Sequence, residues 1–148
     1  MKQSFFKILS DNDVGATGSH QAGVAIPKSN KELLDFFPFL DPNKKNPEAM
    51  ITCIDPDQET WKMRYIYYNG KLSGESTRNE YRLTHTSKFL KVWGAKSGDQ
   101  MLFESTTHLG EYLISIKKRQ SSNSSEKSLQ VPLTKPTIIK LKGWHRVY

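Results

Sequence analysis

Residues 61–68 constrain the fold of this chain most, because two kinds of side chain alternate along the whole segment. The first set is Trp61, Met63, Tyr65 and Tyr67, and the second is Lys62, Arg64, Ile66 and Tyr68. A period of two is typical of a β-strand that lies at the surface of a core. We therefore predict a strand here with one buried and one wetter face.

Other segments of the chain predict further short strands and two short helices. The strands are expected at residues 5–9, 24–26, 50–54, 100–104 and 111–117, with one or two last strands at 137–141 and 144–147. Ser29 and Glu32 have the spacing of a capping box, which predicts a helix that Pro38 stops. Thr86 or Ser87 begins the second helix, which runs through Trp93 and ends at Gly94.

This pattern predicts a mostly β, barrel-like fold rather than a doubly wound α/β sheet. A length of 148 residues suits a single domain over residues 1–148. Residues 119–128 contain five serines and no apolar residue, so we expect a flexible loop there.

The charge balance favours a polyanionic partner. Lys and Arg number 22 against 15 Asp and Glu, which gives a net charge of +7. The N-terminus has no apolar core of a signal peptide and no long apolar stretch follows, so we expect a soluble intracellular protein without membrane contact. The single cysteine, Cys53, lies in an apolar run and predicts a buried, reduced thiol.

No motif for catalysis or metal binding stands out. A zinc site needs several closely placed ligands, and the only candidates besides Cys53 and the carboxylates are the scattered His20, His85, His108 and His145. A metal-dependent nuclease would need a carboxylate near a lysine, but Ser115 stands where that carboxylate is required before Lys117. We expect no catalytic residue, metal or cofactor; a stand-alone metal-dependent nuclease stays open as an alternative.

Two polar loops carry the side chains that suit base recognition. Residues 71–82 contain Arg78, Asn79, Glu80 and Arg82, which can contact guanine, adenine and cytosine edges. Residues 11–23 add His20 and Gln21 for bases, with Thr17 and Ser19 for phosphate oxygens. Two other interpretations stay open. The loops can be solvated surfaces with weak ion pairs, or the protein can bind single strands through Trp61, Tyr65, Tyr67 and Tyr68.

The same loops resemble the N-terminal DNA-binding domain of EcoRII-family type II restriction endonucleases. The resemblance rests on DNDVGATGSHQAGVAIP, FFP, Asn46-Pro47, IYYN and STRNEYRLT, in order over residues 10–84. It implies a pseudobarrel similar to the plant B3 domain and a site, CCWGG, contacted in the major groove by two arms. We call residues 11–23 the N-arm and residues 71–82 the C-arm.

The resemblance also implies roles for individual residues. It assigns base contacts to the C-arm residues named above and to His20 in the N-arm, and we add Gln21. Backbone or arm contacts are expected from Asp13, Thr17, Ser19, Lys28, Arg64, Lys71, Thr77, Tyr81 and Lys88. The chain departs from the family pattern at Ser76 and Tyr81, where lysines are expected, and at Ala25, where a tyrosine is expected.

The partner implied is double-stranded DNA, bound by a monomeric, non-catalytic domain in a prokaryotic cytoplasm. The resemblance places the catalytic domain of the parent enzyme, with its Mg²⁺, outside this chain.

Overall fold

The computed structural model describes residues 2–15, 23–119 and 143–147. Their strands are β1 (Ser4–Ile8), β2 (Val24–Ile26), β3 (Glu48–Ile54), β4 (Thr60–Tyr68), β5 (Glu80–Thr84), β6 (Gln100–Ser105), β7 (Glu111–Lys117) and β8 (Gly143–Val147). Their helices are α1 (Lys31–Phe36), α2 (Gly70–Ser73) and α3 (Ser87–Val92).

The strands form one sheet in the order β2-β5-β4-β3-β7-β6-β1-β8. Neighbouring strands are antiparallel except β3 and β7, which run parallel. The sheet curls until its two ends meet, where the indole Nε1 of Trp144 on β8 donates to the carbonyl oxygen of Ala25 on β2 at 2.9 Å. The result is a nearly closed barrel, as the sequence predicts.

The core lies inside this barrel and is built from aromatic and aliphatic side chains of every strand. Helix α1 closes part of it, since Phe37 directly after the helix stacks on Tyr65 with ring centroids 4.9 Å apart. Tyr112 on β7 donates its hydroxyl to the carbonyl oxygen of Phe36 at 2.7 Å, which fixes the end of the helix to the sheet. Cys53 is free and buried, and burial raises the pKa of its thiol to about 12.

The alternation of residues 61–68 is confirmed on β4. Met63, Tyr65 and Tyr67 are buried, whereas Lys62 is exposed and Arg64 is half-buried. Ile66 departs from the pattern, because it belongs to the wetter set and is buried.

The predicted bounds of β2 and β7 are confirmed, and those of β1, β3, β6, β8 and the second helix differ by one or two residues. The capping box at Ser29 is wrong. Asn30 caps α1, with its Oδ1 accepting from the backbone nitrogen of Leu33 at 3.1 Å. Both residue types suit this position, and the helix starts one residue later than the motif indicates.

The expectation of two helices and of a polar loop over the whole C-arm is also wrong. The arm begins with the helical turn α2, and its last residues, from Glu80, already belong to β5. The strand forms because β5 pairs with β4 on one side and β2 on the other, a long-range contact that local polarity does not reveal. The predicted strand at 137–141 and the serine-rich segment, apart from Arg119, lie outside the described residues. In the part of the chain described here, no helix is long and apolar enough to cross a membrane.

Candidate nucleic-acid interface

The C-arm is closed on itself by backbone hydrogen bonds. The backbone nitrogen of Lys71 donates to the carbonyl oxygen of Arg78 at 2.9 Å, and that of Glu75 donates to Gly70 at 2.9 Å. Gly74 ends α2 in the left-handed conformation at φ 80°. These bonds give a polar, exposed segment a defined shape.

Arg78 lies on the outside of this arm against an aromatic ring. Its guanidinium carbon is 3.7 Å from the ring centroid of Tyr68, and its Nη2 is 2.7 Å from Oε2 of Glu80. Arg64 donates from Nη2 to the Tyr68 hydroxyl at 3.2 Å and from Nε to Oγ1 of Thr84 at 3.0 Å. Arg64 thus orients the ring on which Arg78 stacks.

Arg82 differs from its expected exposure. Its side chain is only 6% exposed, because Nη2 donates to the carbonyl oxygen of Gly23 at 3.1 Å and Nη1 lies 3.5 Å from Oε2 of Glu80. A guanidinium carries five N–H donors. A base contact by Arg82 stays a prediction, and these bonds already engage both Nη atoms of its guanidinium.

Gly23 brings the end of the N-arm against the base of the C-arm. It has φ 83°, and a Cβ atom added there would lie 2.2 Å from the carbonyl oxygen of Leu83. Val24 then pairs with Leu83 as β2 joins β5. Only glycine fits this approach, so the end of the N-arm lies directly against the backbone that follows the C-arm.

The start of the N-arm is also held to the barrel. Asp13 Oδ2 lies 2.7 Å from Nζ of Lys7 and accepts from the backbone nitrogen of Ser10 at 2.9 Å. The Asp13 side chain is 6% exposed, so in this state it anchors the arm. Thr17, Ser19, His20 and Gln21 lie outside the described residues.

Three tyrosines form a stack below the C-arm. The rings of Tyr81 and Tyr67 are nearly parallel, with centroids 4.2 Å apart, and Tyr65 lies 5.8 Å from Tyr81. Burial, with a smaller effect of Tyr67, raises the pKa of the Tyr81 hydroxyl. Tyr67 donates its own hydroxyl to Oδ1 of Asn79 at 2.6 Å.

A groove of about 400 Å³ opens beside this stack. Its walls include Lys7, Lys28, Asn79, Glu80, Tyr81 and Trp144, so it lies between the end of the C-arm and the seam where β8 meets β2. Lys28, Lys71, Thr77 and Lys88 are all exposed. Arg64 is instead 29% exposed and partly committed to Glu48 at 3.4 Å.

The aromatic residues proposed as platforms for single strands are mostly part of the core. Tyr65 and Tyr67 are 1% and 5% exposed. Trp61 packs on Phe89 with centroids 5.5 Å apart and donates its Nε1 to Asp55. Tyr68 is covered by Arg78. This placement argues against stacking of bases on β4.

Sequence reasoning missed the roles of Tyr67 and Tyr68. Both belong to the predicted strand, but their contacts with Asn79 and Arg78 depend on how the chain returns from the C-arm. Among the described residues, no group of three or more His, Cys, Asp or Glu is placed to hold a metal ion.

The mostly β, nearly closed barrel with its short helices defines a pseudobarrel fold of the B3 type. The family model described as "Restriction endonuclease EcoRII, N-terminal" matches residues 2–127. The chain belongs to this family, as the arm motifs predict.

Two known proteins are similar to it. The type II restriction enzyme EcoRII of Escherichia coli is 39% identical over 102 residues, covering 62% of this chain and 24% of that enzyme, so this chain spans about a quarter of the curated relative. The Arabidopsis FUS3–DNA complex shares the fold with a TM-score of 0.58 and 23% identity, covering 78% of this chain and 96% of that one.

Proposed function

We propose that this chain is a sequence-specific double-stranded DNA-binding domain that contacts CCWGG in the major groove through its N-arm and C-arm. It serves as the non-catalytic recognition domain of a type II restriction endonuclease. The observation that carries the proposal is the arrangement of Arg78, Glu80 and Arg82. The carboxylate of Glu80 pairs with both guanidinium groups near the end of the C-arm.

This arrangement suits a G·C-rich target. Arginine donates to guanine O6 and N7, and glutamate accepts from cytosine N4. The stack on Tyr68 reduces the freedom of the Arg78 side chain before DNA arrives, which lowers the entropy cost of binding. Because the Arg78–Glu80 pair is partly exposed, exchanging it for a base contact costs little.

Exposed cations around the arms supply the nonspecific part of the affinity. Lys28 lies at the groove, Lys71 on α2 and Lys88 on α3, and all three are exposed. With a net charge of +7, the chain is attracted to the phosphate backbone, and binding releases counterions.

Fluorescence anisotropy with labelled duplexes tests the proposal. We expect a CCWGG duplex to bind about 1,000-fold more tightly than a scrambled duplex at the same salt. Replacing guanine by 7-deazaguanine removes an acceptor of the major groove and should weaken binding, whereas inosine removes only the minor-groove amino group and should not. Equal affinity for target and scrambled duplex would refute sequence-specific binding; the opposite response to the two analogues would place the contacts in the minor groove.

The role in a parent enzyme has its own test. A catalytic domain outside this chain supplies cleavage with Mg²⁺, and this domain binds DNA as a monomer in the cytoplasm without a cofactor. Incubating the chain with plasmid containing CCWGG and Mg²⁺ should leave the plasmid intact. Cleavage at the site would identify a stand-alone nuclease instead.

A further inference from the structure

The carboxamide of Asn79 is held in one orientation by Tyr67. Tyr67 lies on β4 with 5% exposure, and its hydroxyl donates to Oδ1 of Asn79 at 2.6 Å. The Tyr67 ring cannot turn freely, because it stacks on Tyr81 at 4.2 Å and an angle of 4°. In this hydrogen bond the Oδ1 end of the amide faces the fixed ring and the barrel.

The other end of the amide is left for solvent. In the described part of the chain, Nδ2 of Asn79 makes no hydrogen bond, and it is not among the buried polar atoms that lack a partner. Asn79 is half-buried, directly precedes β5 and lines the groove at the end of the C-arm. The residue thus offers two N–H donors, while one of the two lone pairs of Oδ1 already accepts from Tyr67.

We propose that Tyr67 is a positioning residue that fixes Asn79 as a hydrogen-bond donor toward DNA. This rests on the proposed function. It differs from the expectation that asparagine forks onto adenine, because that fork needs Oδ1 and Nδ2 to face the base together, whereas Oδ1 faces Tyr67 on the barrel. A donor alone suits an acceptor of the DNA, either guanine N7 or O6 or a phosphate oxygen.

A double-mutant cycle measured by anisotropy tests the inference. Tyr67→Phe keeps the ring stack and removes the hydroxyl, so we expect CCWGG affinity to fall about five-fold, and Asn79→Ala to lower it about ten-fold. Tyr67→Phe in the Asn79→Ala background should cause no further loss, because the hydroxyl then has nothing to position. Independent, additive losses would overturn the proposal.

Two further variants separate positioning from stability. Asn79→Asp still accepts from Tyr67 but has no donor, so it should bind at least as weakly as Asn79→Ala; wild-type affinity would overturn the donor role. Tyr112→Phe removes a different tyrosine hydroxyl bond, to the carbonyl oxygen of Phe36, and should lower the melting temperature without changing DNA affinity. If Tyr67→Phe behaves in the same way, its bond to Asn79 is only structural and the inference is wrong.

Measuring the same variants on the scrambled duplex identifies whether the DNA acceptor of Asn79 is a base or a phosphate. A loss confined to the CCWGG duplex indicates a base edge, and equal losses on both duplexes indicate a phosphate. Either result supports the donor role. An unmodified chain that binds both duplexes equally overturns sequence-specific binding, and the cycle then still measures whether Tyr67 and Asn79 are coupled. A chain that binds no DNA overturns both proposals.

Discussion

Two carboxylates, one beside each end of β4, each accept from two side chains, yet the two sites differ in what surrounds them. At the turn after β3, Asp55 Oδ2 accepts from the indoles of Trp61 at 2.9 Å and Trp93 at 3.2 Å. Its Oδ1 accepts from the backbone nitrogens of Asp57 and Glu59 at 2.8 and 3.0 Å. Asp55 is 4% exposed, and all four of these hydrogen-bond donors belong to the protein itself.

At the arm end, Glu80 is held by two cations and remains 37% exposed. Arg78, which is 44% exposed, can exchange it for a ligand because water reaches that guanidinium, whereas the Arg82 side chain is 6% exposed. The difference teaches that a buried carboxylate with neutral donors indicates stability. A half-exposed carboxylate paired with an exposed cation is suited to binding.

The largest effect is expected at Asp55, in the turn between β3 and β4. Asp55→Ala leaves two indoles and two backbone N–H groups without their acceptor, so the free energy of unfolding should fall by about 3–4 kcal/mol. Urea denaturation measures this loss. The folded fraction should still discriminate CCWGG from scrambled DNA, and a selective loss of discrimination would contradict the contrast between the two ends.

The same carboxylate predicts how stability depends on pH. Burial raises the pKa of Asp55, but its hydrogen bonds outweigh burial and lower it below its usual value. The stabilisation is therefore present above the unfolded-state pKa of about 3.9 and is lost as the pH falls through the lower folded-state pKa. Asp55→Asn should flatten part of this acid dependence in thermal melts; Asp99, whose pKa is also lowered, maintains the rest.

The next largest effect is expected at Gly23, where the end of the N-arm approaches the backbone of Leu83. Gly23→Ala places a Cβ against the backbone of Leu83 at positive φ, so we expect a loss of about 2–3 kcal/mol in unfolding free energy and weaker DNA binding. Gly15→Ala is the matched control, because Gly15 also has positive φ but nothing within 4 Å of its added Cβ. It should cost about 1 kcal/mol. Equal losses for the two variants would show that the close approach at Gly23 has no role.

Alanine variants of Glu80 and Arg82 distinguish effects on DNA binding from effects on folding. Alanine at either position should weaken CCWGG binding by about 1–3 kcal/mol while scarcely altering nonspecific binding. Arg82→Ala should also lower stability by about 1–2 kcal/mol, because Gly23 loses its buried donor, whereas Glu80→Ala should stay within about 0.5 kcal/mol. Anisotropy and urea melts on the same samples measure both quantities. Equal losses on target and scrambled duplexes would assign the two side chains to the backbone instead.

The smallest effect belongs to the exposed lysines. Alanine at Lys28, Lys71 or Lys88 should reduce the log–log salt slope of binding by about 1 for each, with discrimination unchanged. Lys2, at the start of β1 and paired with Glu104, is the control, since it lies away from the N-arm that follows this strand. An unchanged slope for Lys28→Ala would exclude it from the phosphate contacts.

Local sequence patterns were sufficient to predict those parts of the fold that local interactions determine. The alternation on β4 and the bounds of β2 and β7 follow from side-chain periodicity, and the arm motifs identify the family. The burial of Arg82 could not be predicted, because its acceptor, Gly23, is 59 residues away along the chain. The bond between Tyr67 and Asn79 likewise depends on how the C-arm returns to the sheet.

The position of β1 has a consequence for the order in which the protein is made. Ser4 on this strand pairs with Glu104 of β6 and Val147 of β8, so β1 is synthesised before both of its neighbours. The hairpin of β3 and β4 can form while the chain is still being translated, but β1 waits for about 100 further residues. Phe5, which is buried in the finished barrel, therefore has no strand beside it to pack with until β6 has been made.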